Sequence, residues 1–381
     1  MLCVATAMCA VAATLVALAV APTARATVSV DSYVSGRFTT HKSEPAFLRG
    51  PGDDDGHVSY EIGTLKIHPP TAFPIYLVGD SLIRESITST GDVATRIQTA
   101  TGVTANVYLF GEGNQNFAES LAVVDNLPPG PGVVVISVSQ NRFCSTPSAA
   151  RDQIQGVRLL APSTTLWRFI LQTFGTAPRN SIKRGIETYL ADWRHRNARI
   201  LAAGRRPWHP YQQHRQGPPV SLERKQALVE AWLNDRGRPD GPFDDWHRFN
   251  TFVLERVVTR AQARGFTVVL MDGSQDGEII GDAWDRCARV YRSACRQIAE
   301  DEQVAYVDPN LTAGLVDSDF HDVTHLIEPG RTKWMDALTT LLAPTVLRVA
   351  GVPATTPSAG PAATPSPSAP QAVATGAPPS P

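Results

Sequence analysis

The sequence predicts an α/β fold, a three-layer α/β/α sandwich built on about five parallel strands and carrying a helical insert. Two observations lead there. Short apolar, β-rich runs alternate with stretches of helical spacing over residues 74–142, and the alternation resumes at about 249 and continues to 349. The polar and glycine-rich turns that carry Ser81, Gly111/Gly113 and Asn141 all fall where a run ends. In a parallel sheet those carboxyl ends are where sites form.

Taken in order, residues 74–78 read as a short buried strand, and Gly79-Asp80-Ser81-Leu82 turns the chain into a helix expected over 83–101. A strand at 103–110, a turn at 111–116, a helix at 117–124 and a loop at 128–132 follow. Residues 133–138 are a strand, apolar except for Ser137, and end in Ser139-Gln140-Asn141-Arg142. Regular alternation then stops over about 145–246, which reads as a helical insert. Beyond it come a helix at 249–264 closed by Gly265, a strand at 266–271, a helix at 284–300 and a strand at 304–307. A polar block at 317–334 precedes a final helix running to 349.

Composition narrows the class. The chain has 381 residues, 43% hydrophobic and 19% charged, with a formal net charge of -1. That is globular composition with no global field directed at nucleic acid. Residues 2–21 form an Ala-rich apolar run, broken by Pro22 and followed by Ala24-Arg25-Ala26. This predicts a signal peptide or N-terminal anchor over 1–26, and an extracytoplasmic body secreted or held at the cell envelope. Residues 27–73 read as a leader on the domain edge, with strand-like pieces and a solvated Asp53-Asp54-Asp55 loop. The spacing of that triplet does not suit a calcium loop. From 350 to 381 the chain is rich in Pro, Ala, Ser and Thr with no charge, so disorder is expected.

Of the 5 cysteines, Cys144, Cys287 and Cys295 belong to the body. Cys287 and Cys295 share an expected helix and, at about 1.5 Å rise per residue, lie too far apart to bridge each other. If a disulfide forms, Cys144 to one of the other two is the favoured pairing, and the third thiol stays free. The insert is locally basic through Arg194, Arg196, Arg199, Arg205 and Arg206, with His195, His209 and His214. A cap for an anionic polymer or lipid head group is one reading, and outward-facing solvated charge is the other. No spacing suits a metal, and no cofactor is expected.

Ser81 stands where a strand ends and a helix starts, beside unpaired backbone N–H groups that would stabilise an oxyanion. The same Gly-Asp-Ser could simply cap the helix. A nucleophilic serine needs a base with an orienting partner. Asp322-Val323-Thr324-His325 supplies both, since a spacing of three lets the carboxylate reach one ring nitrogen while the other faces the serine. His321 is a competing base, but Ser318 rather than an acid stands three residues before it.

On these residues the chain resembles the SGNH, or GDSL, hydrolase superfamily. Gly79-Asp80-Ser81-Leu82 matches the first motif block, and Gly113 looks like the second-block glycine, with Gly111 an alternative. Asn141 looks like the third-block asparagine. Asp322 and His325 match the last block, with Gly330 following at the usual distance. The resemblance covers roughly 74–142 and 266–349. It implies a flavodoxin-like fold, Ser81, Asp322 and His325 as catalytic residues, and an oxyanion hole from Ser81, Gly113 and Asn141. Two departures stand out: Arg142 replaces the acid of G-x-N-D, and Leu326-Ile327 replace Pro-Asn after the histidine.

The resemblance implies an exported serine esterase cleaving O-acyl esters. An acyltransferase on a cell-envelope glycopolymer, of O-acetyl or D-alanyl type, needs the same base and stays open beside it. A binding module that kept only the fold is the third reading. The expected partner is an acyl-ester substrate, lipid or glycopolymer, with membrane association only through the N-terminal segment.

Overall fold

The computed structural model describes residues 69–147, 149–150 and 216–352, together with residues 58, 61, 62 and 65. The expectations for the 1–26 segment, the Asp53-Asp54-Asp55 loop, the arginine-rich part of the insert and the tail beyond 352 lie outside the described residues.

Five parallel strands form one sheet: β1 (Phe73–Gly79), β2 (Ala105–Gly111), β3 (Val133–Val138), β4 (Thr267–Asp272) and β5 (Ala305–Val307), in the order β2-β1-β3-β4-β5. The helices are α1 (Ser81–Glu85), α2 (Thr90–Thr101), α3 (Phe117–Asn126), α4 (Leu222–Trp232), α5 (Pro242–Ala263), α6 (Gly277–Ile280), α7 (Asp285–Asp301) and α8 (Gly330–Val349). A 3-10 turn, Gln140–Cys144, follows β3, and a π-helical turn, Leu233–Gly237, follows α4.

The two-residue period of the strands builds the layers. Tyr76, Val78, Val134, Ile136, Val268 and Leu270 point to one face, where α3, α5 and α7 cover them. Their neighbours Ile75, Leu77, Val133, Val135, Val269 and Met271 point to the other, against α2 and α8. Strands buried on both faces read as unbroken apolar runs, which is why 133–138 is apolar almost throughout. Each such side chain contributes about 1.5–3 kcal/mol on burial. This is the expected three-layer α/β/α sandwich.

Several elements differ locally from expectation. The helix read over 83–101 is two: Ser86 closes α1, and the Ser89 side chain caps α2 by accepting the N–H of Asp92 at 3.0 Å. Two serines offering side-chain bonds to the backbone favour a break over a continuous helix. The helix expected from 249 begins at Pro242, a residue suited to a first helical position. In the stretch read as strand-like, residues 58, 61, 62 and 65 are helical, and Val58, Ile62 and Leu65 are buried in the core. Their spacing of four and three is a helical signal that composition obscured. The pairing left open for Cys144 does not form: Cys144, Cys287 and Cys295 are free, buried thiols. Burial pushes Cys144 up to about 12, so it is inert near neutrality.

The strand order places a topological switch between β1 and β3, whose outgoing connections leave for opposite sides of the sheet. A crevice opens at the carboxyl ends of such a pair. Ser81 follows β1 and Asn141 follows β3.

Candidate active site

The turn after β1 is fixed by close approach. A Cβ on Gly79 would lie 2.6 Å from the Ser137 Cβ, so only glycine lets β1 and β3 run together there. Asp80 then caps α1, its Oδ1 accepting the Leu82 N–H at 3.1 Å and its Oδ2 the Ser139 hydroxyl at 3.2 Å. The second bond ties the serine turn to the end of β3. Burial pushes the Asp80 carboxyl above its ordinary range, opposed by Arg142, the Leu82 N–H, His325 and Ser139.

Ser81 Oγ lies 2.9 Å from Nε2 of His325. His325 Nδ1 lies 2.8 Å from Asp322 Oδ2, and Asp322 Oδ1 accepts the backbone N–H groups of Thr324 at 2.8 Å and His325 at 2.9 Å. All three residues keep partial access to solvent. Burial alone would raise the Asp322 carboxyl. The His325 ring and charge, with the two backbone N–H groups, outweigh it and hold the group well below the usual carboxylate range. For His325 burial pulls downward, but the hydrogen bond and charge of Asp322 prevail, helped by Glu85 and Asp80, and its pKa is raised. The arrangement can accept a proton from the serine and keep the resulting imidazolium paired.

His321, the competing base, turns elsewhere. Its Nδ1 faces the carbonyls of Gly217 and Pro218, the latter at 2.6 Å. The loop bearing His325 is a narrow hairpin: His321 N–H donates to the His325 carbonyl at 2.8 Å, and Ile327 N–H to Asp319 at 2.9 Å. Leu326, at the position where Pro is usual, is fully buried and pairs with Phe320, so it anchors this loop in the core. Gly330 lets α8 start against the same loop, since a Cβ there would lie 2.6 Å from the Asp319 carbonyl oxygen.

Three donors lack an acceptor among the described residues: the backbone N–H groups of Ser81 and Gly113 and the side-chain amide of Asn141. Gly113 sits in the turn Glu112 to Gln115, closed by a 3.3 Å backbone bond and helped by Asn114 at φ 59. Gly111 packs closely. It pairs with Gly79 across the sheet, and a Cβ there would press on Arg84 and Ile83 at 3.0–3.1 Å. With α1 only one turn long its dipole is small, so individual N–H groups must supply any stabilisation beside Ser81.

Arg142, the departure in the third block, was missed as a contributor. It is buried and donates through Nε to the Gln115 carbonyl at 3.1 Å and through Nη2 to Ser120 Oγ at 2.5 Å, and it also bonds the Ser137 carbonyl. Ser120 in turn donates to Gln115 Oε1 at 2.8 Å. The guanidinium also covers the Phe117 ring at 4.2 Å. Burial lowers its pKa to about 10, against the opposing charges of Asp80 and Glu119. Arg142 thus stitches the turn carrying Gly113 to the end of β3, a role that no spacing in the sequence announces.

A groove of about 730 Å³ between α5 and α7, lined by His247, Phe252, Arg289 and Val290 among others, contains none of the predicted site residues. No cluster of His, Cys, Asp and Glu among the described residues suits a metal ion, and no described helix is long and apolar enough to cross a membrane.

No family model matches the chain, and no curated protein matches it. Solved structures do. Phospholipase A1 from Streptomyces albidoflavus is 13% identical, with 71% of this chain and 100% of that one covered at a TM-score of 0.35. An acetyl-xylooligosaccharide esterase from Geobacillus is 12% identical, with 71% and 94% covered at 0.34. A protein from Desulfitobacterium hafniense, described as lipolytic and of the G-D-S-L family, is 10% identical, with 71% and 99% covered at 0.33.

Proposed function

We propose that the chain is a serine hydrolase of the SGNH type, acting on carboxylic O-acyl esters through an acyl-enzyme at Ser81. The observation that carries this reading is the unbroken line from Ser81 Oγ to His325 Nε2 at 2.9 Å and from His325 Nδ1 to Asp322 at 2.8 Å.

In the first half-reaction Ser81 Oγ attacks the ester carbonyl as its proton passes to His325 Nε2. The carbonyl oxygen becomes an oxyanion, with the N–H groups of Ser81 and Gly113 and the Asn141 amide as donors. One such donor is worth about 10²–10³ in turnover. His325 then protonates the departing alcohol, leaving the acyl group on Ser81. In the second half-reaction His325 takes a proton from the acceptor, whose oxygen attacks the acyl-enzyme, and returns it to Ser81 Oγ. With water as acceptor the product is the free acid. With a sugar or polyol hydroxyl it is a new ester, the transferase alternative. Asp322 fixes the ring tautomer and pairs with the imidazolium.

The test is Ser81→Ala against a short-chain p-nitrophenyl ester, together with labelling by a fluorophosphonate. Hydrolysis should vanish with the circular dichroism spectrum unchanged, and the label should map to Ser81. Undiminished activity in the variant, or a label on another serine, would overturn the assignment. Product analysis with an added glycan acceptor separates hydrolysis from transfer. Export belongs to the same proposal, with cell fractionation and N-terminal sequencing of the mature protein as its test.

A further inference from the structure

Asn141 lies exposed in the turn that follows β3, and in place of the acid that usually comes next stands Arg142, which is buried. The Asn141 amide is held at its oxygen. Asn141 Oδ1 accepts from Trp232 Nε1 at 3.2 Å and from Arg236 Nη1. An indole N–H and a guanidinium can only donate. The atom both of them meet must therefore be the amide oxygen, which sets the Nδ2 hydrogens on the opposite arm.

The two donors come from one short piece of backbone. Trp232 ends α4, and Arg236 lies four residues on, within the π-helical turn Leu233–Gly237. Such turns are rare and gather at functional sites. This one is fitted to its task, because a Cβ on Gly237 would lie 2.3 Å from Trp232 Cζ3. Only glycine lets the indole lie across the turn. The Gly237 carbonyl accepts from Arg286 Nη2 at 2.5 Å, and Arg286 also pairs with Asp244 at 2.6 Å. Trp232 packs on the buried Trp284, ring centroids 5.1 Å apart. Trp284 shares an apolar cluster with Val229, Ile280 and Val323, and Val323 belongs to the loop bearing Asp322 and His325.

We infer that Trp232 and Arg236 are positioning residues that lock the Asn141 amide with its N–H₂ turned to the oxyanion. They stand outside the segments that resemble the superfamily. The inference rests on the esterase reading above. An amide held at its oxygen by two donors is preorganised, whereas an unheld one divides its time among rotamers, some of which turn the oxygen toward the developing negative charge.

The experiment uses the full chain, p-nitrophenyl acetate and a fluorophosphonate, with Trp232→Phe, Arg236→Met, the pair, Asn141→Ala, and each substitution repeated in the Asn141→Ala background. Phenylalanine keeps the ring packing and removes the N–H. Each single variant should lose roughly five- to tenfold in kcat with KM unchanged, the scale of one hydrogen bond. The pair should approach Asn141→Ala, itself down by about 10²–10³. In the Asn141→Ala background neither should lose more. Wild-type kcat in the single variants, or the same loss with and without Asn141, overturns the inference while Ser81 labelling leaves the esterase reading standing. Failure of the wild-type chain to label at Ser81 overturns both.

Discussion

Asp322 serves His325 through both of its oxygens: Oδ2 lies 2.8 Å from the ring Nδ1, and Oδ1 accepts the backbone N–H of the same histidine at 2.9 Å. One carboxylate thus sets both the backbone turn and the ring orientation, which a spacing of three residues makes compatible.

Asp322→Asn should lower kcat by about 10⁴, the scale of losing the correct tautomer in a triad. The base must be neutral to act, and Asp322 raises the His325 pKa. The acid limb of kcat/KM in the native protein should therefore lie above the ordinary histidine value of 6.5. In Asp322→Asn burial prevails and the limb should move to lower pH. A pH–rate profile of both proteins checks the direction. The stability signs follow from the same pair. Depressed Asp322 contributes stability above its unfolded pKa that is lost as pH falls through its folded one. Raised His325 contributes stability below its unfolded pKa that is lost as pH rises through its folded one.

Arg142→Met should destabilise the protein by about 3–5 kcal/mol, because it leaves the buried Gln115 and Ser137 carbonyls and Asp80 without their cation. Arg142→Asp, which restores the residue usual after the asparagine, should be worse, since it sets an acid near Asp80 and Glu119. Urea midpoints of the two variants order them. A stable Arg142→Asp protein would show that the stitch is dispensable.

Lys225 clamps the histidine loop from α4. It is fully buried, its Nζ 3.3 Å from Asp276 Oδ2 and 2.9 Å from the Asp317 carbonyl, and it is also paired with the Asp317 carboxylate. The Asp276 N–H in turn donates to the Val323 carbonyl at 3.0 Å. Lys225→Met should cost roughly 3 kcal/mol by leaving buried Asp276 without its cation. Amide exchange over 316–327 should accelerate more than exchange in β1 and β3. Equal protection in that loop would show that the clamp does not hold it.

The repeating α/β layout is legible in the amino-acid sequence, because strands buried on both faces must be apolar runs and their covering helices must show helical spacing. So are the serine turn and the Asp322–His325 pair, since both are local: neighbours a few residues apart, whose geometry the backbone alone dictates. Sequence pattern misjudges the break between α1 and α2, where serine side chains compete with the helix for backbone bonds, and the buried helical residues Val58, Ile62 and Leu65. Other relationships come from the folded chain, where distant groups converge: Arg142 beneath the Gly113 turn, Lys225 beneath the histidine loop, Trp232 and Arg236 on Asn141. Each depends on contacts between segments tens to hundreds of positions apart. Such contacts leave no periodicity, because they are set by strand order and packing rather than by the neighbouring peptide.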